Sequence, residues 1–138
     1  MTPAELLPYL RRYRLLVQAS VASNGAPQAA VVGYGVSDAL EIVFDTLEST
    51  RKYQNLIREP RVALVIGWDD EITIQIEGLV DFPKGPELER VRQVYFSAYP
   101  DGRERLAWAG ITHARVRPYW ARFSDFNAPG RTEEVSFV

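Results

Sequence analysis

The sequence has no cysteine, one methionine (the first residue) and one histidine, His113. Without cysteine there is no disulfide framework, no thiolate metal site and no thiol nucleophile. A single histidine excludes zinc centres built on several imidazoles, and a Ser-His-Asp triad would have to use that one residue. There is no excess of positive charge: Lys and Arg total 16 against 18 Asp and Glu, a net charge of -2. That balance argues against general nucleic-acid binding. The longest apolar runs, such as Ala29–Tyr34 and Val62–Trp68, fall far short of the roughly 20 residues that cross a membrane. The opening Met1-Thr2-Pro3-Ala4-Glu5 has no basic stretch before an apolar core, so no secretory signal is expected and the expected location is the cytoplasm. A glycine-rich dinucleotide loop is missing too. Gly33-Tyr34-Gly35 is only Gly-x-Gly, and it lies inside a predicted strand rather than after one. With so few reactive side chains, hard chemistry in this chain points to a borrowed cofactor.

What is present is an ordinary globular composition: 138 residues, 46% hydrophobic and 25% charged, read as one domain over 1–138. Thr2 and Pro3 read as a helix start, with an apolar face of Leu6, Leu7 and Leu10 that Pro8 limits. Leu15–Ala22 reads as a strand, Asn24-Gly25 as a hairpin turn, and Ala29–Val36 as a returning strand apolar enough to be covered on both faces. Leu40–Asp45 is a third strand. Ser49 or Thr50 caps a helix that Pro60 stops. Arg61–Trp68 reads as a buried strand. Ile72, Ile74 and Ile76 alternating with Thr73, Gln75 and Glu77 give the clearest period of two in the chain. Glu87–Tyr99 is a third helix, Thr112–Phe123 a last strand with Pro118 at a bulge or an edge, and Ser124–Val138 a polar tail. Short connections between the strands disfavour a parallel, doubly wound sheet. They suit a mainly β fold with flanking helices, an antiparallel barrel closed or partly closed.

One segment carries chemical information: Phe44-Asp45-Thr46-Leu47-Glu48-Ser49-Thr50-Arg51-Lys52. It runs from a strand end into the first turn of a helix. Two cations at the positive end of a helix dipole are mildly unfavourable, by some tenths of a kcal/mol each. An anion between them reverses the sign. Free backbone N–H groups, the hydroxyls of Thr46, Ser49 and Thr50, a guanidinium and an ammonium together form a phosphate site. The plainer reading is a solvated helix start paired with Glu48 or Glu59.

The residues around this segment resemble the pyridoxamine 5'-phosphate oxidase-like family, the FMN-binding split-barrel flavoproteins. Gly25-x-Pro27 opens a strand, and an ungapped stretch runs from Pro27 to Thr46. Ser49-x-Arg51-Lys52 resembles the family's Ser-Arg-Lys with one residue inserted or shifted. Glu59-Pro60-Arg61-Val62-Ala63-Leu64 resembles its Asn-Pro-Arg-Val-Ser-Leu, and Trp68 and a strand ending at Gly78 follow. The resemblance is good over residues 15 to 80 and weak in the last third. It implies an antiparallel split β-barrel with FMN as cofactor. Arg51 and Lys52 would hold its phosphate, helped by Thr46 and Ser49, with Asp45 at the neighbouring contact position. Ala30, Val31 and Val32 lie on the strand that would run along the isoalloxazine ring. Thr73 aligns nearest to a family glutamine that contacts the flavin, and Gln75 shares its face. Apart from the resemblance, Trp120 and Arg122 lie two apart and so on one strand face, either closing over the flavin or a substrate anion or serving as a dimer-interface aromatic with a snorkelling arginine. Such sites lie at a two-fold interface in this family, so the expected working unit is a homodimer acting on a small molecule, with no nucleic-acid or membrane partner.

Departures from the family pattern bear on the substrate. Family oxidases begin the ring-lining strand with Arg and end it with Lys; here those places are Ala30 and Gly35. Their C-terminal Arg-x-His-Asp-Arg type motif is replaced by Trp120-Ala121-Arg122-Phe123-Ser124-Asp125. These differences imply a flavin oxidoreductase that does not turn over pyridoxamine 5'-phosphate. The alternatives are a reductase of the same fold using the deazaflavin F420, and a non-catalytic flavin or haem carrier or sensor. Outside this set, His113 reads as a surface or interface residue and Trp68 and Trp108 as packing residues. Asp69-Asp70-Glu71 reads as a solvated turn, and Arg90 and Arg92 as surface.

Overall fold

The computed structural model describes residues 1–137. Its elements in chain order are α1 (Pro3–Arg12), β1 (Leu15–Val21), β2 (Pro27–Gly33), β3 (Gly35–Val36), β4 (Ile42–Leu47), α2 (Arg51–Arg58), β5 (Arg61–Ile66), β6 (Ile72–Asp81), α3 (Gly85–Ala98), a 3-10 segment (Pro100–Ala107), β7 (Ile111–Asp125) and β8 (Arg131–Val135). All strand pairings are antiparallel, in the order β2-β1-β5-β6-β7-β4-β3, with β8 added on β7.

The two ends of that order, β2 and β3, are consecutive in the chain and separated only by Tyr34. The kink at Tyr34 therefore carries the backbone from one edge of the sheet to the other, and the sheet curls into a split barrel. β2 approaches β4 without pairing with it, which leaves a seam. Glycines flank the kink because helix α3 presses on it. A Cβ at Gly33 would enter the Tyr99 ring, and one at Gly35 would collide with the Val94 carbonyl.

Two cores hold the fold. The larger fills the barrel with Leu16, Ile42, Phe44, Leu64, Ile66, Ile74, Ile76, Val116 and Phe123, capped by Leu6 and Leu10 of α1. Each such buried side chain contributes roughly 1.5–3 kcal/mol. That burial explains why α1 continues past Pro8 to Arg12, one turn beyond the expected limit: packing of Leu10 outweighs one lost helix hydrogen bond. A capping box between Thr2 and Glu5 starts the helix as its sequence predicts. The smaller core, Val43, Val91, Tyr95 and Phe96, seals α3 against the outer side of β4 and β7.

Several expectations are corrected here. β2 and β5 are covered on one face only: Val31 is 58% exposed and Val65 37%, because no element among the described residues packs on the outer face of β2-β1-β5. Residues 131–135 are not a tail but strand β8, a polar edge on β7. Trp68 and Trp108 are exposed, whereas His113 is buried at 1% exposure, beneath Tyr95 and Phe96 of α3. Asp70 is tied down by the Tyr13 hydroxyl and Arg12. No helix among the described residues is long and apolar enough to cross a membrane.

Candidate phosphate cleft at the barrel seam

β4 delivers the chain to the seam and α2 starts there. Thr50, not Ser49, is the N-cap. Its hydroxyl accepts from the Tyr53 N–H at 3.3 Å, donates to the Leu47 carbonyl at 2.8 Å and lies 3.0 Å from the Thr46 hydroxyl. This cap fixes the first turn and leaves the N–H groups of Arg51 and Lys52 without intrahelical acceptors, as at any helix start.

Beside that turn lies a cleft of about 330 Å³ lined by Gln18, Ser20, Gln28, Ala29, Ala30, Thr50, Arg51, Lys52 and Asn55. Its floor is the inward face of β1 and β2. There the alternation that places Leu16 in the core also places Gln18 and Ser20 inward, at 1% and 2% exposure. Asn55 of α2 donates to the Ser20 hydroxyl (3.1 Å) and to Gln28 Oε1 (2.8 Å), pinning the helix to the hairpin. Gln18 Oε1 is buried with no hydrogen-bond partner among the described residues.

The arginine at this mouth differs from the others. Every other arginine donates to an acceptor within the chain. Among the described residues Arg51 alone of the arginines has no such bond, and its neighbour Lys52 has none either. The alternative pairing with Glu48 or Glu59 is not made; Glu59 is held by Arg61 at 2.8 Å.

The residues expected at the site fall into three places. Arg51, Lys52 and Ala30 line the cleft, and Thr46 is bonded to its cap. Ser49 lines an adjoining cleft with Asn24, Gln54 and Arg58, which shares Gln28, Thr50, Arg51 and Asn55 with the first. Val31, Gln75 and Trp120 lie on the outer face of the sheet instead. Strand register aligns Val31, Val17, Val65, Gln75 and Arg122 in one row and sets Trp120 opposite Glu77 in the next. Thr73 shares that face opposite Ser124. Val32 is partly buried against the main core. Asp45 is turned away from the cleft, on the α3 side of β4. There it accepts from Arg105 Nε at 2.7 Å and from the Tyr95 hydroxyl at 3.2 Å. Neighbouring residues of a strand face opposite ways, so the Thr46 and Asp45 side chains lie on opposite sides of β4.

Trp120 owes its outward position to a bulge. The β6–β7 register shifts at Glu77/Gly78, so Gly78 faces Pro118, Glu77 faces Trp120 and Tyr119 is unpaired. The Arg122 guanidinium sits over the Trp120 ring, 5.4 Å from its centroid.

Sequence reasoning missed Gln18, Ser20, Gln28 and Asn55. A signal existed: two polar residues at the inward parity of β1, between apolar neighbours, and an asparagine on the buried side of α2.

A curled antiparallel sheet with an open seam, a capped helix at the seam and no parallel crossover defines a split β-barrel. The sequence pattern of the pyridoxamine 5'-phosphate oxidase family matches residues 2–121, and the chain belongs to that family. It is 34% identical over 117 residues to a pyridoxine/pyridoxamine 5'-phosphate oxidase of Bordetella avium, a match covering 78% of this chain and 54% of that protein. The chain thus spans about half the length of that curated relative. Among solved structures it is similar to a haem-binding protein from Mycobacterium smegmatis (TM-score 0.81, 17% identity, 97% of this chain and 56% of that one). It also resembles a pyridoxamine 5'-phosphate oxidase-related FMN-binding protein from Nostoc punctiforme (TM-score 0.66, 11% identity, 96% and 90%).

Proposed function

We propose that the chain is an FMN-binding flavoprotein whose seam cleft holds the cofactor phosphate. The observation that carries this reading is the unpaired Arg51 beside Lys52 at a capped helix start, in a chain where every other arginine is engaged. Arg51 supplies a planar fork, Lys52 a point charge, and the first backbone N–H groups of α2 complete the cradle. Ala29 and Ala30 leave the free edge of β2 open to the flavin ring. Bound there, FMN supplies electron or hydride transfer with a small organic substrate. The chain contributes phosphate anchoring, ring orientation and shielding from water.

The working unit is a homodimer. Val31, Val65, Gln75 and Trp120 sit on an uncovered outer face remote from the cleft of their own chain, so a second copy is needed to bring such residues to the ring. Pyridoxamine 5'-phosphate is not the substrate, because Ala30 and Gly35 supply no cations beside the ring. A haem reading has no histidine or cysteine ligand to draw on: there is no cysteine, and the one histidine is sealed beneath α3.

The test is titration of the purified protein with FMN, F420 and haemin, followed by absorbance and fluorescence, with light scattering for the mass. FMN binding one per chain in a two-chain particle is expected. Arg51→Ala combined with Lys52→Ala weakens it about 100-fold or more without lowering the melting temperature. A wild-type protein that binds haemin or F420 in preference to FMN, or an undiminished FMN affinity in the double variant, overturns the reading.

A further inference from the structure

Gln18 Oε1 is a buried polar atom of the cleft floor with no hydrogen-bond partner among the described residues. The residue lies on β1 between Leu16 and Ser20, 1% exposed. Its partners across the sheet are Ala30 on one side and Leu64 on the other, neither with a side-chain donor. Asn55, across the cleft, commits its Nδ2 to the Ser20 hydroxyl and Gln28 Oε1. A buried carbonyl oxygen without a donor is unfavourable by about 1–3 kcal/mol, and an aliphatic residue in this interior would avoid that penalty. Gln18 borders the cleft that holds Arg51 and Lys52.

The chemistry of the missing partner follows from the atom. An amide oxygen accepts and does not donate. A phosphate dianion has no proton to give, so it satisfies Arg51 and Lys52 but not Gln18 Oε1. The ligand must therefore present a hydroxyl or N–H inward of its phosphate. We propose that Gln18 is a specificity residue that accepts a hydrogen bond from the hydroxylated chain of a phosphate ester, the polyol linking phosphate to ring. This deepens the flavin reading and rests on it. It also separates ligand classes, since the carboxylates of haem have no hydroxyl to offer.

The test compares wild type, Gln18→Leu, Gln18→Met and Arg51→Ala. Each is measured for FMN affinity by fluorescence quenching and for melting temperature alone, with FMN and with inorganic phosphate. Both Gln18 variants are expected to melt higher than wild type without ligand, because an unpartnered polar atom is gone. They are expected to bind FMN about tenfold more weakly and to keep the full phosphate-induced shift. Arg51→Ala is expected to lose the phosphate shift as well. If the Gln18 variants melt lower without ligand and bind FMN as wild type does, Gln18 is a packing residue and the inference fails while the flavin reading stands. If wild type binds no FMN but keeps the phosphate shift, the flavin reading fails and the inference with it.

Discussion

Two regions of this small barrel bury charge and polarity, and they do so in opposite ways. On the α3 side, Arg115 is 4% exposed and Glu41 7%, yet each is saturated. Arg115 reaches Asp81 with two bonds (2.9 and 2.6 Å), Glu87 at 2.6 Å and Glu41 at 3.3 Å, while Arg90 grips Glu41 with two bonds at 2.8 and 2.7 Å. The guanidinium of Arg90, helped by the Ser37 hydroxyl, holds the Glu41 carboxyl down at about 2. At the seam the opposite holds: two cations without acceptors and a buried amide oxygen without a donor. The saturated cluster ties β4, β6, β7 and α3 together and leaves no group over for a ligand. The unsaturated one, among the described residues, is the place proposed for the ligand.

The contrast is breakable, and the largest effect falls on the saturated side. Arg115→Leu removes the buried cation that Asp81 and Glu87 share and leaves Glu41 to Arg90 alone, and it is expected to cost about 3 kcal/mol of stability, read by denaturant unfolding, with FMN affinity of the folded fraction unchanged. Equal loss of affinity and stability would erase the distinction between the regions. The Arg51→Ala, Lys52→Ala pair is the mirror image, with affinity lost and stability kept. Next comes His113. Burial beneath Tyr95 and Phe96 pushes its imidazole down to about 4, below the usual 6.5, and neither ring nitrogen has a partner. Asp45 and Arg105 beside it are already paired, as are Glu89 and Arg92 of α3. The folded state therefore refuses a proton that the unfolded state takes. Its stabilisation is complete above pH 6.5 and lost between pH 6.5 and 4, by roughly 2–3 kcal/mol. In His113→Leu that part of the pH dependence should vanish; an unchanged slope over that window refutes the assignment. The smallest effect separates two hydroxyls. Thr50→Ala removes the α2 cap and should cost about 1 kcal/mol, whereas Ser49→Ala should fall within about 0.5 kcal/mol of wild type.

The limits of the sequence follow the same division between local and distant causes. The period of β6, the capping box of α1 and the break at Pro118 are local, and each appears where the residues place it. Whether a strand face is covered depends on what packs there, which is why β2 and β5, apolar along their length, have one bare face. His113 reads as surface because a lone histidine gives no hint that α3 folds back over it. The cation pair at α2 was legible as a motif, but the cleft floor was not. Gln18 and Asn55 are 37 positions apart and meet only because α2 packs on β1. The family resemblance puts Asp45 at a contact position beside Thr46, and strand alternation sets the two side chains on opposite faces.

The pressure of α3 on the kink at Tyr34 also bears on substrate choice. The family pattern places a lysine where this chain has Gly35, and the obvious variant restores it. Here the first carbon of any side chain at that place meets the Val94 carbonyl. The lysine cannot come in alone: α3 has to withdraw first, and α3 is fastened through Arg90 and Glu87 to buried Glu41 and Arg115. The glycine is thus locked in by the scaffold, and a cation at this place needs redesign of a helix rather than one codon.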